Sequence, residues 1–170
     1  MTREEQNTVP SAEYAEANRY MDNAKETLKR AEKQDDGYYR DEKYVRTACG
    51  TAYLGVLRAL DAWLLIKGAQ LPGKKKQKSI ELYEYTVAQI DKKMLSRLKA
   101  AYSVLHLDGY YRGVTSIDTI ASGFKAAYEL IDKIKPENPV DVPETRGGKA
   151  KRAWNTFLIS AAAMFMRNRF

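Results

Sequence analysis

Apolar side chains recur every third or fourth residue along four stretches of this sequence, and this spacing constrains the fold more than any other feature. Such a repeat places the apolar side chains on one face of an α-helix and leaves the other faces to polar residues. No stretch shows the two-residue alternation that is typical of β-strands. The four stretches lie at residues 14–31, 45–66, 95–105 and 117–134. We therefore predict an all-α protein.

Capping residues mark the ends of the predicted helices. Ser11 and Asp91 are suited to begin the first and the third of the four long helices. Their side-chain oxygens can accept the unpaired N–H groups of a first helical turn. Gly68 and Pro136 are suited to end the second and the fourth of these long helices. A shorter helix is predicted at residues 79–89, so the bundle carries one helix beyond its four long ones.

Four amphipathic helices joined by short connections predict an antiparallel, up-down four-helix bundle. The helix at residues 41–67 is apolar on most sides and is therefore predicted to be central. Gly50 and Gly55 would weaken it, so we expect a neighbouring helix backbone to come close at both. The predicted organisation is a flexible N-terminus at 1–10, the bundle at 11–135, a Pro/Gly linker at 136–148 and a basic amphipathic helix at 149–170.

Positive charge is concentrated near the C-terminus. The net charge is +7, but residues 144–170 hold six basic side chains against one acid, and the run at 74–78 adds four lysines. The rest of the chain is nearly neutral, which is not typical of a domain built as a nucleic-acid cradle. The apolar face of the C-terminal helix predicts docking on its own bundle or a homodimer. A helix lying on a membrane surface or on nucleic acid is the alternative.

Composition and missing motifs exclude several kinds of chemistry. The single cysteine, Cys49, excludes a disulfide framework and a cysteine zinc site, and the single histidine, His106, argues against a histidine-rich metal centre. The sequence has neither a phosphate-binding glycine loop nor a nucleophile elbow. It also has no secretory signal or uninterrupted apolar span. We therefore expect a cytoplasmic protein without metal or cofactor, and we favour a non-enzymatic role.

The tetrapeptide Gly-Tyr-Tyr-Arg occurs twice, at residues 37–40 and 109–112. We interpret both copies as turns in a helical hairpin that is used twice. His106 lies just before the second copy, where a carboxylate could orient it as a general base and an arginine could hold a phosphate. The alternative, which we favour, is a structural histidine at a helix end. The candidate binding residues are Tyr38, Tyr39, Arg40, His106, Asp108, Tyr110, Tyr111 and Arg112.

The order of a long first helix, the segment at 48–64, a short helix and the segment AYSVLHLDGYYRG at 101–113 resembles the HEPN-like helical bundles. It is most similar to uncharacterised bacterial families of that type, over residues 11–135. The resemblance implies a helical bundle that dimerises. Many HEPN domains are metal-independent ribonucleases with an Arg-x(4–6)-His motif. In this sequence, the nearest arginine before His106 in the same helix is Arg97, and eight residues separate the two. This spacing does not match the motif, so nuclease activity is not implied.

Two functions remain open from the sequence. The first is a non-enzymatic bundle that forms a homodimer and binds a protein or a small ligand. The second is an RNA- or nucleotide-binding HEPN relative, such as a degenerate ribonuclease or a partner in a nucleotidyltransferase or toxin–antitoxin pair. That relative would hold phosphate with Arg40, Arg112, the lysines at 74–78 and the basic tail. We expect the first.

Overall fold

The computed structural model describes residues 3–69 and 78–135, with side chains from residue 11 onward. These residues confirm the all-α prediction, since they contain no strand and only two isolated β-bridges. The predicted linker at 136–148 and the C-terminal helix at 149–170 lie outside the described residues. The elements are, in order, α1 (Arg3–Lys29), α2 (Glu42–Ile66), α3 (Ile80–Ile90), α4 (Lys92–Ala101), a π-helix (Tyr102–Arg112), α5 (Ile117–Ile131) and a 3₁₀ turn (Asp132–Ile134).

The starts of four helices follow from capping side chains. Asp41, Ser79, Asp91 and Ser116 each accept a backbone N–H from the first turn of the helix that follows, which satisfies a donor without an intrahelical partner. The N-cap predicted at Ser11 is wrong, because α1 begins upstream of that residue. A proline inside this helix removes one backbone hydrogen bond, and the helix continues through it.

Helix α2 is the central helix, as the sequence predicts. It packs most extensively against α1 and also contacts α5 and the π-helix. Among the described residues, it is the one helix long and apolar enough to cross a membrane, but 56% of its most apolar window is buried inside the protein. Each fully buried Val or Leu side chain contributes about 1.5–3 kcal/mol relative to exposure. Core packing thus accounts for most of the apolar surface of α2, whereas Leu54, Leu65 and Ile66 remain about half exposed.

Two glycines of α2 mark close approaches of different kinds. A Cβ at Gly55 would lie 3.0 Å from the Tyr20 Cβ and 3.1 Å from the Ala17 carbonyl oxygen, so the backbone of α1 comes close there as predicted. A Cβ at Gly50 would lie 3.1 Å from Cδ2 of the Tyr110 ring. The neighbour of Gly50 is therefore a side chain of the π-helix, and the prediction of a close backbone is wrong at that position.

The helix predicted to run from Asp91 to near Gly109 changes character halfway. From Tyr102 to Arg112 its backbone is a π-helix, in which hydrogen bonds join residues five apart; runs of this length are rare. Gly109 is buried inside it, and a Cβ there would lie 2.8 Å from the Cys49 Cβ and closer still to its sulfur. Gly109 therefore allows the π-helix to pack on α2 and does not end a helix.

The two Gly-Tyr-Tyr-Arg segments have different structures. In the first, Gly37 has a positive φ of 87° in the connection between α1 and α2, and Tyr38 pairs with Ser116 in an isolated bridge. The second copy lies inside the π-helix, which ends at a left-handed Gly113. The interpretation as a repeated hairpin is therefore wrong, since glycine serves a turn in one copy and helix packing in the other.

Replacement of Gly109 by alanine tests the contact between the π-helix and α2. The added methyl group must displace Cys49 or separate the two helices, so we expect the free energy of unfolding to fall by about 1–3 kcal/mol in urea denaturation. Ser103→Ala, at an exposed position of the same π-helix, is the control and should change it by less than about 0.5 kcal/mol. A Gly109→Ala protein of wild-type stability would contradict the contact.

Candidate functional site

A cleft of about 370 Å³ lies between α2, the π-helix and the start of α3. On α2, the side chains that face it are spaced four residues apart and so lie on successive turns of one face. Aromatic and aliphatic side chains form most of its wall, and a single acid and a single lysine supply the charges. This combination is typical of small-molecule sites. The lining residues are Tyr53, Leu57, Asp61, Lys78, Ile80, Tyr83, Tyr102 and His106.

The rings of Tyr102, His106 and Tyr110 stack along the π-helix, and we call them the aromatic column. The ring centroids of Tyr102 and His106 are 5.3 Å apart at an interplanar angle of 18°, and those of His106 and Tyr110 are 5.7 Å apart at 26°. The wider turn of a π-helix brings residues four apart nearly over one another. Tyr53 of α2 lies 4.9 Å from His106, centroid to centroid. The imidazole is thus held as a flat part of the cleft wall.

The carboxylate of Asp61 organises the polar end of the cleft. Its Oδ1 accepts a hydrogen bond of 2.6 Å from the Tyr83 hydroxyl, and its Oδ2 lies 2.6 Å from the Lys78 Nζ. Burial, and then the hydrogen bond to Asp61, raises the pKa of Tyr83 above its ordinary value, so this phenol remains a neutral donor. The side chains of Lys78 and Asp61 are 49% and 37% exposed, so their ion pair contributes little to stability.

The structure does not bring the eight candidate binding residues into one site. His106 lines the cleft, and Tyr110 continues the aromatic column beyond it. Asp108, which could have oriented His106 in the less favoured interpretation of the sequence, instead accepts a hydrogen bond of 2.7 Å from Arg112 Nη1. Residues two apart on a helix point to different sides, which separates Asp108 from the imidazole.

The residues of the first Gly-Tyr-Tyr-Arg segment stabilise the connection between α1 and α2. Tyr39 is buried, its backbone N–H donates to the Thr115 carbonyl at 2.9 Å, and burial raises its pKa to about 12. Arg40 Nη1 lies 2.7 Å from Glu32 Oε2. Tyr38 is half exposed. The side chains of Tyr38, Tyr39 and Arg40 do not line the cleft.

Arg46 of α2 holds the end of the π-helix, a role that the sequence did not indicate. Its Nη1 donates to the carbonyl oxygens of Tyr110 and Tyr111, each at 2.7 Å, and its Nε donates to Glu42 Oε1 at 2.6 Å. The last carbonyls of a helix lack intrahelical partners, and a guanidinium satisfies them. The Tyr111 side chain itself is 73% exposed, so its backbone, and not its ring, is what the fold uses.

The polar end of the cleft was also missed from the sequence. One local signal was present, because Asp61 interrupts an otherwise apolar part of α2, and a half-buried charge requires partners. Its partners, Lys78 and Tyr83, lie 17 and 22 residues further along the chain. Nothing local in the sequence joins them to Asp61 or to His106.

The described residues offer little for metal or thiol chemistry. Within residues 3–69 and 78–135, no three His, Cys, Asp or Glu side chains are grouped so that they could hold a metal ion. Burial raises the pKa of the Cys49 thiol to about 12, which keeps it in the unreactive protonated form at neutral pH.

Removal of Arg46 should loosen the end of the π-helix. Arg46→Ala leaves two carbonyls without their charged donor, so we expect a loss of about 1–2 kcal/mol in the free energy of unfolding. Amide hydrogen exchange at residues 108–114 should become faster. Arg112→Ala removes an exposed ion pair from the same segment and should cost about 0.5 kcal/mol or less. Equal effects of the two substitutions would contradict the role of Arg46.

The buried tyrosines should make the protein unstable in alkali. Burial raises the pKa of Tyr39 to about 12, and it also raises the pKa values of Tyr53, Tyr83 and Tyr128 above the ordinary value of about 10. The folded state therefore favours the neutral phenol. The stability this provides is complete below pH 10 and is lost as the pH rises through the folded pKa.

We expect the free energy of unfolding to fall as the pH rises from 10 to 12, with tyrosinate absorbance increasing over the same range. Tyr39→Phe removes one buried ionisable phenol and should make this decline less steep. Tyr111→Phe changes an exposed phenol and should leave the decline unchanged. A decline that neither substitution alters would contradict the contribution of Tyr39.

Comparison with known proteins places most of the chain in one family. Residues 12–136 match the family described as a domain of unknown function (DUF5618). A solved structure of a protein of unknown function from Dyadobacter fermentans is similar to this one, with 36% sequence identity and a TM-score of 0.63. The match covers 74% of this chain and 94% of that one. No curated protein matches the chain.

Proposed function

This chain belongs to the DUF5618 family of domains of unknown function, and from the geometry of its cleft we propose that it is a binding module for a small, flat organic molecule. The observation that carries this proposal is a cleft of about 370 Å³ with two rings of the aromatic column, Tyr102 and His106, in its wall. Flat molecules stack favourably on such rings. The volume falls in the range of small-molecule sites, about 300–1,000 Å³.

The cleft wall is held in place before any ligand arrives. Tyr53 and Tyr83 are 8% and 3% exposed and support the cleft from inside the core, while Tyr102 and His106 keep part of their surface accessible. Side chains fixed by packing lose little freedom when a ligand binds, which favours affinity. This rigidity supports a binding role.

The surroundings of His106 favour binding over catalysis. The imidazole stacks between Tyr102 and Tyr110, and Asp108, the carboxylate that could have oriented it as a general base, pairs with Arg112. A general base requires an orienting partner and access to a proton. We therefore propose a module without enzymatic activity.

The nucleic-acid alternative has less support among the described residues. Arg40 and Arg112, which would hold phosphate under this alternative, each lie 2.7 Å from a carboxylate, of Glu32 and Asp108 respectively. Their charge is thus partly offset before phosphate arrives. The other basic segments of that hypothesis, 74–77 and 144–170, lie outside the described residues. We therefore favour the small ligand.

We propose that α1, α2, α4 continued by the π-helix, and α5 form an up-down four-helix bundle of HEPN-like type, with α3 as an addition. The contacts of α2 with α1 and α5, and of α4 with α5, support this. We also propose a cytoplasmic, bacterial homodimer.

A fragment screen tests the proposed function. We expect flat aromatic fragments of about 10–20 non-hydrogen atoms to bind the full chain in ligand-observed NMR. His106→Ala removes one stacking surface and should weaken binding about tenfold. Tyr111→Ala removes an exposed ring that does not line the cleft, and it should leave affinity unchanged.

Circular dichroism of each variant establishes that its helices are intact. A screen without binders, or binders whose affinity is the same in His106→Ala and the wild type, would contradict the proposal.

A further inference from the structure

A lysine ammonium occupies the polar end of the cleft. Lys78 Nζ lies 2.6 Å from Asp61 Oδ2, and both residues line the cleft. The other carboxylate oxygen, Oδ1, accepts a hydrogen bond from the buried Tyr83 hydroxyl at 2.6 Å. Asp61 is thus fixed by one buried neutral donor and one exposed cation. Because exposed ion pairs contribute little to stability, Lys78 can be replaced on this carboxylate at small cost.

Four of the eight residues that line the cleft carry aromatic rings. Tyr53, Tyr83, Tyr102 and His106 line the same cleft as Asp61. The face of an aromatic ring carries partial negative charge and attracts ammonium groups. Rings together with a carboxylate make a site in which an organic cation is stabilised at both its charged and its apolar parts.

We propose that the cleft binds an organic ammonium ion with an aromatic or apolar body, whose charged group takes the place of Lys78 on Asp61. This inference rests on the proposed function, since it specifies the ligand of the same cleft. The flat body lies against the accessible surfaces of Tyr102 and His106, and the ammonium group donates to Asp61. Lys78 acts as an internal competitor that the ligand displaces.

The charges around the cleft disfavour an anionic ligand. Lys78 is the single cation among the lining residues, and its charge is already matched by Asp61. An anion that bound Lys78 would have to lie beside the Asp61 carboxylate. A second carboxylate, Glu84 on α3, acts electrostatically on Tyr53 and is paired only loosely with Lys99, at 3.8 Å. Negative charge on the ligand is thus repelled at this end.

Three probes of matched size separate the alternatives. We would titrate the full chain by NMR with 2-naphthylmethylammonium, with the neutral 2-naphthylmethanol and with the anionic 2-naphthoate. The cation should bind at least about tenfold more tightly than the alcohol, and the anion should bind most weakly. Equal affinity for cation and alcohol, both lost in His106→Ala, would overturn this inference and leave the proposed function standing. Absence of binding by all three probes would overturn both.

Three substitutions identify the groups involved. Asp61→Asn keeps the shape and the acceptor for Tyr83 but removes the charge, so the preference for the cation over the alcohol should disappear. Lys78→Gln removes the internal competitor, so the cation should bind several-fold more tightly while the alcohol is unaffected. Lys125→Gln, at an exposed position of α5 that does not line the cleft, changes the net charge by the same amount and is the control. Equal effects of Lys78→Gln and Lys125→Gln would overturn the displacement of Lys78.

Discussion

The close packing of the π-helix on α2 is the interaction on which the rest of the structure depends. Gly109 allows the two helices to approach until its α-carbon faces Cys49, and Gly50 leaves room for the ring of Tyr110. Arg46 then joins α2 to the last carbonyls of the π-helix. Since α2 is the central helix, this contact sets the position of every side chain that the π-helix carries.

That contact also explains the shape of the cleft. With more residues in each turn than an α-helix, the π-helix aligns Tyr102 with His106 on one side, where Tyr53 of α2 supports them. In an ordinary α-helix the same residues would be rotated relative to one another by a larger angle. An uncommon backbone at a cleft is a frequent feature of functional sites. The packing of the π-helix on α2 therefore underlies both the fold and the proposed binding role.

The sequence was sufficient for elements whose causes are local. The three-four spacing predicts α2 and α5, and the capping side chain of Asp91 predicts the start of α4, because both signals act within a few residues. The π-helix was not predicted, since the spacing of Leu98, Tyr102 and Leu105 fits an α-helix equally well. Its stabilisation comes from α2, which is distant in the chain.

The candidate site was predicted only in part, for the same reason. His106 was identified, but the residues around it come from α2, from the start of α3 and from the π-helix. The two copies of Gly-Tyr-Tyr-Arg were misleading, because the same residues occupy different environments. Gly37 adopts a positive φ, whereas Gly109 packs against the sulfur of Cys49.

The hydrogen bonds of the π-helix decide whether this description of the structure is correct. NMR couplings across backbone hydrogen bonds measure them directly, and we expect the Gly113 amide to couple to the Asp108 carbonyl, five residues earlier. Coupling to the carbonyl of Gly109, four residues earlier, would contradict it.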